Sequence, residues 1–385
     1  ARCMKTINRS LKLASFPFWM SSFLLPIYCS SLGLSPLETT GMFSVYSLFV
    51  LLSKLVSGRL CDHEKIGRKK VFLTGLVLTA CSYVLLACSR ELVWLYLSQM
   101  IDGIATALLS VSLYTMLVDE SGEEIAVNRG KQSAAQNFGG LYGMIFYFVL
   151  LSNMDFFATW KVFFLGSAVL TLYGVWNAAR RLEDNMPKET DGKKLQNLKL
   201  AICLKAKGLI AVRFLLSLSL NVLGAVFVLI MMQRFGNNMM MIGLICLIPS
   251  TLLAYLSPSI GAKIKRFGER KSFLTASILA ILLLIWMSAS TVPLLFGLGW
   301  SGYSFAVTAM NLSMDAVFSK QIPEKERGRY SGIYSCSVNL GSMIASVLGG
   351  FFMQEIGEST PFYLTAVLLI LTMLVFQKVL LTENK

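Results

Sequence analysis

The chain has 385 residues, 55% of them hydrophobic and only 15% charged, with a mean hydropathy of +0.64. Soluble domains carry about 25% charged residues, so a water-soluble globule is excluded. The net charge of +14 does not indicate a nucleic-acid partner, because the basic residues sit in short loops between apolar runs and not on one exposed face.

In chain order, Arg2, Lys5, Arg9 and Lys12 precede an apolar run from Leu13 to about Gly33. That run is too long for a signal peptide and reads as a first spanning helix. Spans of about 20 apolar residues then recur along the whole sequence. They are expected near 13–33, 41–61, 71–89, 92–117, 132–152, 160–179, 209–231, 239–262, 272–289, 293–317, 330–353 and 362–380. Alternating segments of strand length, the mark of a membrane β-barrel, are missing from this pattern. The expected fold is an all-α membrane protein of twelve spans.

With the N-terminus placed inside, the inward segments hold 30 of the 35 Lys and Arg residues, and the outward loops hold Arg90, Lys161 and Arg234. The positive-inside rule therefore predicts both termini on the cytoplasmic side of a cell membrane. The longest polar stretch, 180–208, is expected to be a cytoplasmic linker between six-helix bundles at 1–179 and 209–385. Within it, Leu195, Leu198 and Ile202 with Lys194, Lys199 and Lys205 suit an amphipathic surface helix or a flexible tether.

The two halves echo each other. Gly58-Arg59-Leu60-Cys61-Asp62-His63-Glu64-Lys65-Ile66-Gly67-Arg68 lies between the second and third spans. Gly261 to Arg270, containing Gly268, lies between the eighth and ninth. Arg129-Gly130-Lys131-Gln132-Ser133 and Arg327-Gly328-Arg329-Tyr330-Ser331 form a second pair. Each precedes a span rich in small residues, with Gly139, Gly140 and Gly143 in one and Gly341, Gly349 and Gly350 in the other. Small residues let helix backbones approach where lipid supplies no hydrophobic drive. Parallel six-helix repeats are a known transporter plan.

On these loops, spans and repeat, the chain resembles the major facilitator superfamily of transporters over essentially its whole length. That resemblance implies two pseudo-symmetric six-helix bundles and a small-molecule substrate. It also implies a conformational latch in which Asp62, beside a helix C-terminus that disfavours a carboxylate, engages the start of the eleventh helix. The latch residues so implied are Gly58, Asp62, Gly67 and Arg68, with Gly261, Gly268 and Arg270 in the second half. Two extra residues, His63 and Glu64, separate Asp62 from the rest of the motif. Close packing is the expected reason for Gly58, and a tight turn the reason for Gly67.

Ionisable residues within spans are functional candidates because burying them in lipid costs about 2.5–3.5 kcal/mol. Lys54 and Asp102 differ in expected depth by about 5 Å and are read as a buried pair, either static or broken by protonation during coupling to protons. Gln99 stands where the corresponding family motif has arginine. Arg213 is expected to snorkel to the interface, and Asp315 to meet Lys320 or Arg327. Gln136, Asn137, Asn221, Asn311 and Asn339 are candidates for a cavity or for bonds between helices. Trp19, Tyr28, Tyr142 and Tyr303 are expected at lipid or the interface.

Eight scattered cysteines and the single His63 give no disulfide framework, zinc site or cofactor site. The sequence has no phosphate-binding G-x-x-x-x-G-K-[ST] loop and no clustered nucleophile and base, so neither an ATPase nor a membrane-embedded enzyme is expected. The leading reading is a monomeric secondary transporter working by alternating access with H+ as partner. A transporter-like receptor that no longer cycles is the alternative. Export and uptake both remain open.

Overall fold

The computed structural model describes residues 2–62, 66–121, 125–182, 204–236, 238–321 and 327–381. Among these residues all regular structure is helical. The helices are α1 (Arg2–Ala14), α2 (Phe18–Ser31), α3 (Pro36–Asp62), α4 (Gly67–Cys88), α5 (Leu92–Ser121), α6 (Ile125–Leu151) and α7 (Phe156–Arg181). After the central stretch come α8 (Leu204–Phe235), α9 (Met239–Phe267), α10 (Glu269–Ala289), α11 (Pro293–Gln321), α12 (Arg327–Glu355) and α13 (Thr360–Leu381). Residues 183–203, where an amphipathic helix or tether is expected, lie outside the described residues.

Nine of these helices are long and apolar enough, among the described residues, to cross a membrane. The other three expected spans deviate for separate reasons. Of the eighth, only the shorter apolar stretch Met239–Leu253 is covered among the described residues. The tenth, α11, is long but carries Ser301, Ser304, Thr308, Asn311, Ser313 and Asp315. The first is divided into α1 and α2.

That division follows from Pro17, which has no N–H to donate and disfavours helical backbone in Phe16. Phe16 N donates to Leu13 O at 3.3 Å, and Phe18 N turns to Ser15 O at 3.0 Å. The Ala14 carbonyl is instead taken by the Tyr83 hydroxyl of α4 at 2.9 Å. The basic N-terminus is itself helical: Met4, Ile7, Leu11 and Ala14 are buried with Phe72, Leu76, Leu113, Met116 and Ala178, and Lys5 and Arg9 are exposed.

The helices group into two compact units. The first holds Ala1–Leu25 and Val45–Leu198, and the second Pro26–Ser44 and Lys199–Lys385. The end of α2 and the start of α3 thus pack with the second unit, although the sequence places them in the first bundle. There Ser44 Oγ donates to Met343 O at 2.7 Å.

In the first unit, α6 lies on α1 through glycine. An added Cβ at Gly139 would fall 2.3 Å from Lys12 O, and one at Gly143 would fall 1.7 Å from Phe16 O. In the second unit, α12 lies on α8 in the same way: a Cβ at Gly341 would meet Phe214 O at 2.8 Å, and one at Gly349 would meet Val222 O at 2.3 Å. The repeat seen in sequence is therefore also a repeat of backbone approach, between corresponding spans of each half.

The second unit is tied at one end by Arg234 near the C-terminus of α8. Its guanidinium donates to Glu358 Oε1 (3.0 Å), Met287 O (2.8 Å), Ser290 O (3.3 Å) and Ser359 Oγ (3.2 Å). The rings of Phe296 and Phe362 flank it. At the other end, Lys320 in the last turn of α11 pairs with Glu269 in the first turn of α10. Each charge also complements its helix dipole.

Candidate functional site

The second unit carries an open cavity of roughly 460 Å³, within the range of small-molecule sites. Two helices supply most of its polar surface by simple periodicity. On α8, Arg213, Ser217 and Asn221 recur every four residues, and on α11, Ser304, Thr308 and Asn311 recur at intervals of four and three. Such spacing puts each set on one helix face. Trp300, Tyr303, Val307, Leu253 and Val338 complete the principal apolar walls.

Most of the small polar groups bond inward. Ser217 Oγ donates to Val338 O at 2.7 Å, and Asn221 Nδ2 donates to Ser217 O at 2.8 Å. Ser304 and Thr308 bond back to carbonyls one turn earlier, at 2.8 and 2.9 Å. The floor carries the charge. Arg213 Nη1 donates to Asn311 Oδ1 at 2.7 Å and stands 3.8 Å from Asp315 Oδ1. Tyr334 of α12 donates its hydroxyl to the same Asp315 oxygen at 2.7 Å, while the Arg213 guanidinium lies over the Tyr334 ring at 5.1 Å. Tyr334 in turn stacks on Phe318, with centroids 3.9 Å apart.

Several expectations are corrected here. Arg213 does not snorkel: its side chain is only 14% exposed and is held by an amide from another helix. Among the described residues, Asp315 meets Arg213 and Tyr334, and Lys320 pairs with Glu269 instead, while the Arg327 side chain, the other expected partner, lies outside the described residues. Tyr303 is also not lipid-facing, being 3% exposed at the cavity wall, and Tyr28 is buried. Tyr142 is exposed, but the Lys12 ammonium sits 4.4 Å from its ring centre.

Of the candidate polar residues, Asn221 and Asn311 are brought together in this cavity. Asn339 is half-buried on α12 and bonds back to Ser335 O. In the first unit, Gln99 is buried, and Lys54, Asp102, Gln136 and Asn137 are half-buried. Gly103 packs against the backbone between Tyr46 and Val50 of α3. With α3 and α5 running in the same direction, this register sets Lys54 roughly 10 Å along the axis from Asp102, twice the expected offset. Lys54 is itself engaged. The Tyr46 hydroxyl, one turn from Asp102, bonds Thr106 Oγ1 at 3.2 Å.

The loop motif is described in part. Gly67 and Gly268, equivalent in the repeat, have φ of +69° and +87°, a backbone conformation that favours glycine. Gly67 begins α4, and Gly268 joins α9 to α10. Among the described residues, added Cβ atoms at Gly58 and Gly261 would meet nothing within 4 Å, so no described neighbour accounts for the glycine there by close packing. Arg68 is half-buried and engaged, and Arg270 is exposed. His63, Glu64 and Lys65 lie outside the described residues, as does the Asp62 side chain.

The sequence profile of the Major Facilitator Superfamily matches residues 12–207 and 209–385, almost the whole chain. The chain belongs to the Major Facilitator Superfamily. It is therefore a multi-pass membrane transport protein and not an enzyme, as the sequence led us to expect.

Other members of this superfamily share less of it. The class E tetracycline resistance protein of Escherichia coli is 24% identical over 335 residues, covering 83% of this chain and 79% of its own length. The quinolone resistance protein NorA of Staphylococcus aureus (strain MRSA252) is 27% identical over 121 residues, and the match spans 31% of either protein. Among solved structures, a point mutant of the nucleoside transporter NupG superposes with a TM-score of 0.76 at 15% identity, covering 98% of both chains. A bacterial homologue of the human lysosomal transporter Spinster gives 0.77 at 12% identity, covering 98% of this chain and 96% of its own. These two show the shared all-α superfamily fold.

Proposed function

We propose that this superfamily member is a secondary active transporter that moves a small molecule across a cell membrane by alternating access, coupled to protons. The observation that carries the proposal is the second unit's cavity. A span costs free energy when it carries arginine, asparagine and hydroxyls, and α8 and α11 carry them on the faces that line one ligand-sized space. The names of the two resistance proteins favour export as the direction. Asp102, the half-buried carboxylate of α5, is the proposed proton carrier. Both termini are taken to be cytoplasmic on the strength of the basic loops. Gly58, Asp62, Gly67, Arg68, Gly261, Gly268 and Arg270 are retained as the proposed latch.

The test is flux in proteoliposomes made with the purified full chain, with and without an imposed pH gradient. Gradient-driven flux is expected for the unaltered protein, and Asp102→Asn is expected to retain counterflow while losing its response to the gradient. Unchanged coupling in the Asp102→Asn protein would remove that residue from the mechanism. Ligand binding without any flux would assign the chain to a non-cycling receptor instead.

A further inference from the structure

Within that reading of the cavity as a substrate site, we infer that its ligand is a planar aromatic anion, with the negative group on Arg213 and the ring against Trp300 and Tyr303. Three observations converge. First, Arg213 is the one charged side chain among the described residues lining the cavity. Its Nη1 is taken by a neutral amide, while its Nε is buried without a hydrogen-bond partner. An unfilled donor on a buried cation costs more than one on a neutral group, and the flat guanidinium edge matches a carboxylate or similar anion in two parallel bonds. Asp315 does not fill this role. It stands 3.8 Å from Nη1, is 55% exposed, and already accepts from Tyr334.

Second, the Tyr303 hydroxyl is also buried without a partner, on a residue 3% exposed. Orphaned hydroxyls are uncommon in folded proteins and call for an explanation. A ligand acceptor reaching the same cavity supplies one. Third, Phe227, Trp300 and Tyr303 form a ladder of nearly parallel rings, with interplanar angles of 18° and 30°. The last two rings line the cavity. A flat aromatic ligand extends such a ladder with an offset stack. The remaining described polar lining is neutral, and the nearest carboxylate, Asp315, lies beside Arg213 but not among the lining residues.

The test measures ligand-induced thermal stabilisation of the purified full chain at neutral pH, using four probes of similar size. These are 2-naphthoate, the neutral 2-naphthamide, the cationic 2-naphthylmethylammonium, and a saturated decalin carboxylate. Naphthoate is expected to bind at least about tenfold more tightly than the amide, the difference made by a charged hydrogen bond. It should also bind more tightly than the ammonium and the decalin acid. Arg213→Gln is expected to erase the naphthoate–naphthamide difference, and Trp300→Leu the naphthoate–decalin difference. Should Arg213→Gln fail to fold, Tyr303→Phe deletes a single hydroxyl and is expected to weaken naphthoate severalfold with the unliganded Tm held or raised.

Equal or tighter binding of the amide or ammonium, or no binding of naphthoate at all, overturns the assignment. So does full naphthoate affinity in both Arg213→Gln and Tyr303→Phe. Failure of the transport reading is read separately. Selective naphthoate binding without flux leaves the ligand class standing and removes transport. Gradient-driven flux of a cationic dye with no naphthoate binding does the reverse.

Discussion

Arg213 and Asn311, separated by 98 residues, meet across 2.7 Å, with the guanidinium donating and the amide oxygen accepting. The contact fixes the cation at the cavity floor through an amide that carries no charge, while the one carboxylate beside it, Asp315, stands farther off at 3.8 Å. Asn311→Asp keeps the acceptor geometry and cancels the charge. The expected result is a reversal of selectivity, with 2-naphthoate weakened at least about tenfold and 2-naphthylmethylammonium strengthened. The same thermal-shift series checks it, and an unchanged preference would mean that Arg213 does not face the ligand.

The four glycine contacts separate positions that need hydrogen from those that merely have it. Gly143→Ala would drive a methyl into Phe16 O, where the gap is 1.7 Å. We expect a loss of about 3 kcal/mol, the upper end of overpacking costs, seen as a lowered Tm in detergent. Gly58→Ala meets open space and should leave Tm unchanged or raise it slightly, since glycine inside a helix is about 0.5–1 kcal/mol worse than alanine. Any transport defect in Gly58→Ala would then be conformational in origin.

Arg234 bridges the ends of α8, α10 and α13 with a single guanidinium. Arg234→Ala strands two carbonyls and a partly buried carboxylate, and is expected to cost about 2–4 kcal/mol. Arg234→Lys should recover little, because an ammonium cannot reproduce the guanidinium's spread of donors. Unfolding midpoints of the two variants against the parent protein decide this, and a fully stable Arg234→Lys would refute it.

Glu269 precedes the ninth expected span, at 272–289. Lys320, by its hydrogen bond, holds the Glu269 carboxyl below its usual range. A depressed acid contributes stability above its unfolded pKa and loses it as pH falls through its folded one. The Tm gap between the parent protein and Glu269→Gln should therefore be largest near pH 7 and close as the pH falls below about 4. Lys320 is exposed and Glu269 half-buried, so high salt should narrow the gap too.

Most of the architecture was legible because apolar length and basic loops are local signals. The tight turn expected at Gly67 is there, and Gly268, its equivalent in the repeat, has the same left-handed backbone. The division at Pro17 was equally visible but was overridden by the continuous hydropathy around it. It is the Tyr83 hydroxyl, contributed by another helix, that accommodates the break. The same limit applied at the site. The stripe Ser304, Thr308, Asn311, Asp315 can be read directly from the sequence, and so can Arg213, Ser217, Asn221. What the sequence could not show was that the two stripes face each other, so Arg213 read as a snorkelling end residue and Tyr303 as an interfacial one. For Lys54 and Asp102, depth was counted from loop ends, whereas the packing of Gly103 against Tyr46 and Val50 is a contact between helices that no such count contains.

The polar face of α11 has a consequence during synthesis. A helix that lines a cavity is less able to leave the translocation channel for lipid by its own hydropathy, and α11 falls outside the described helices apolar enough to do so. Its neighbour α10, made just before it and strongly apolar, offers a ready partner through close contacts such as Leu283 against Gly302. The two are thus expected to enter the bilayer as a hairpin, so that the ligand cavity begins to form while the ribosome is still extending the chain.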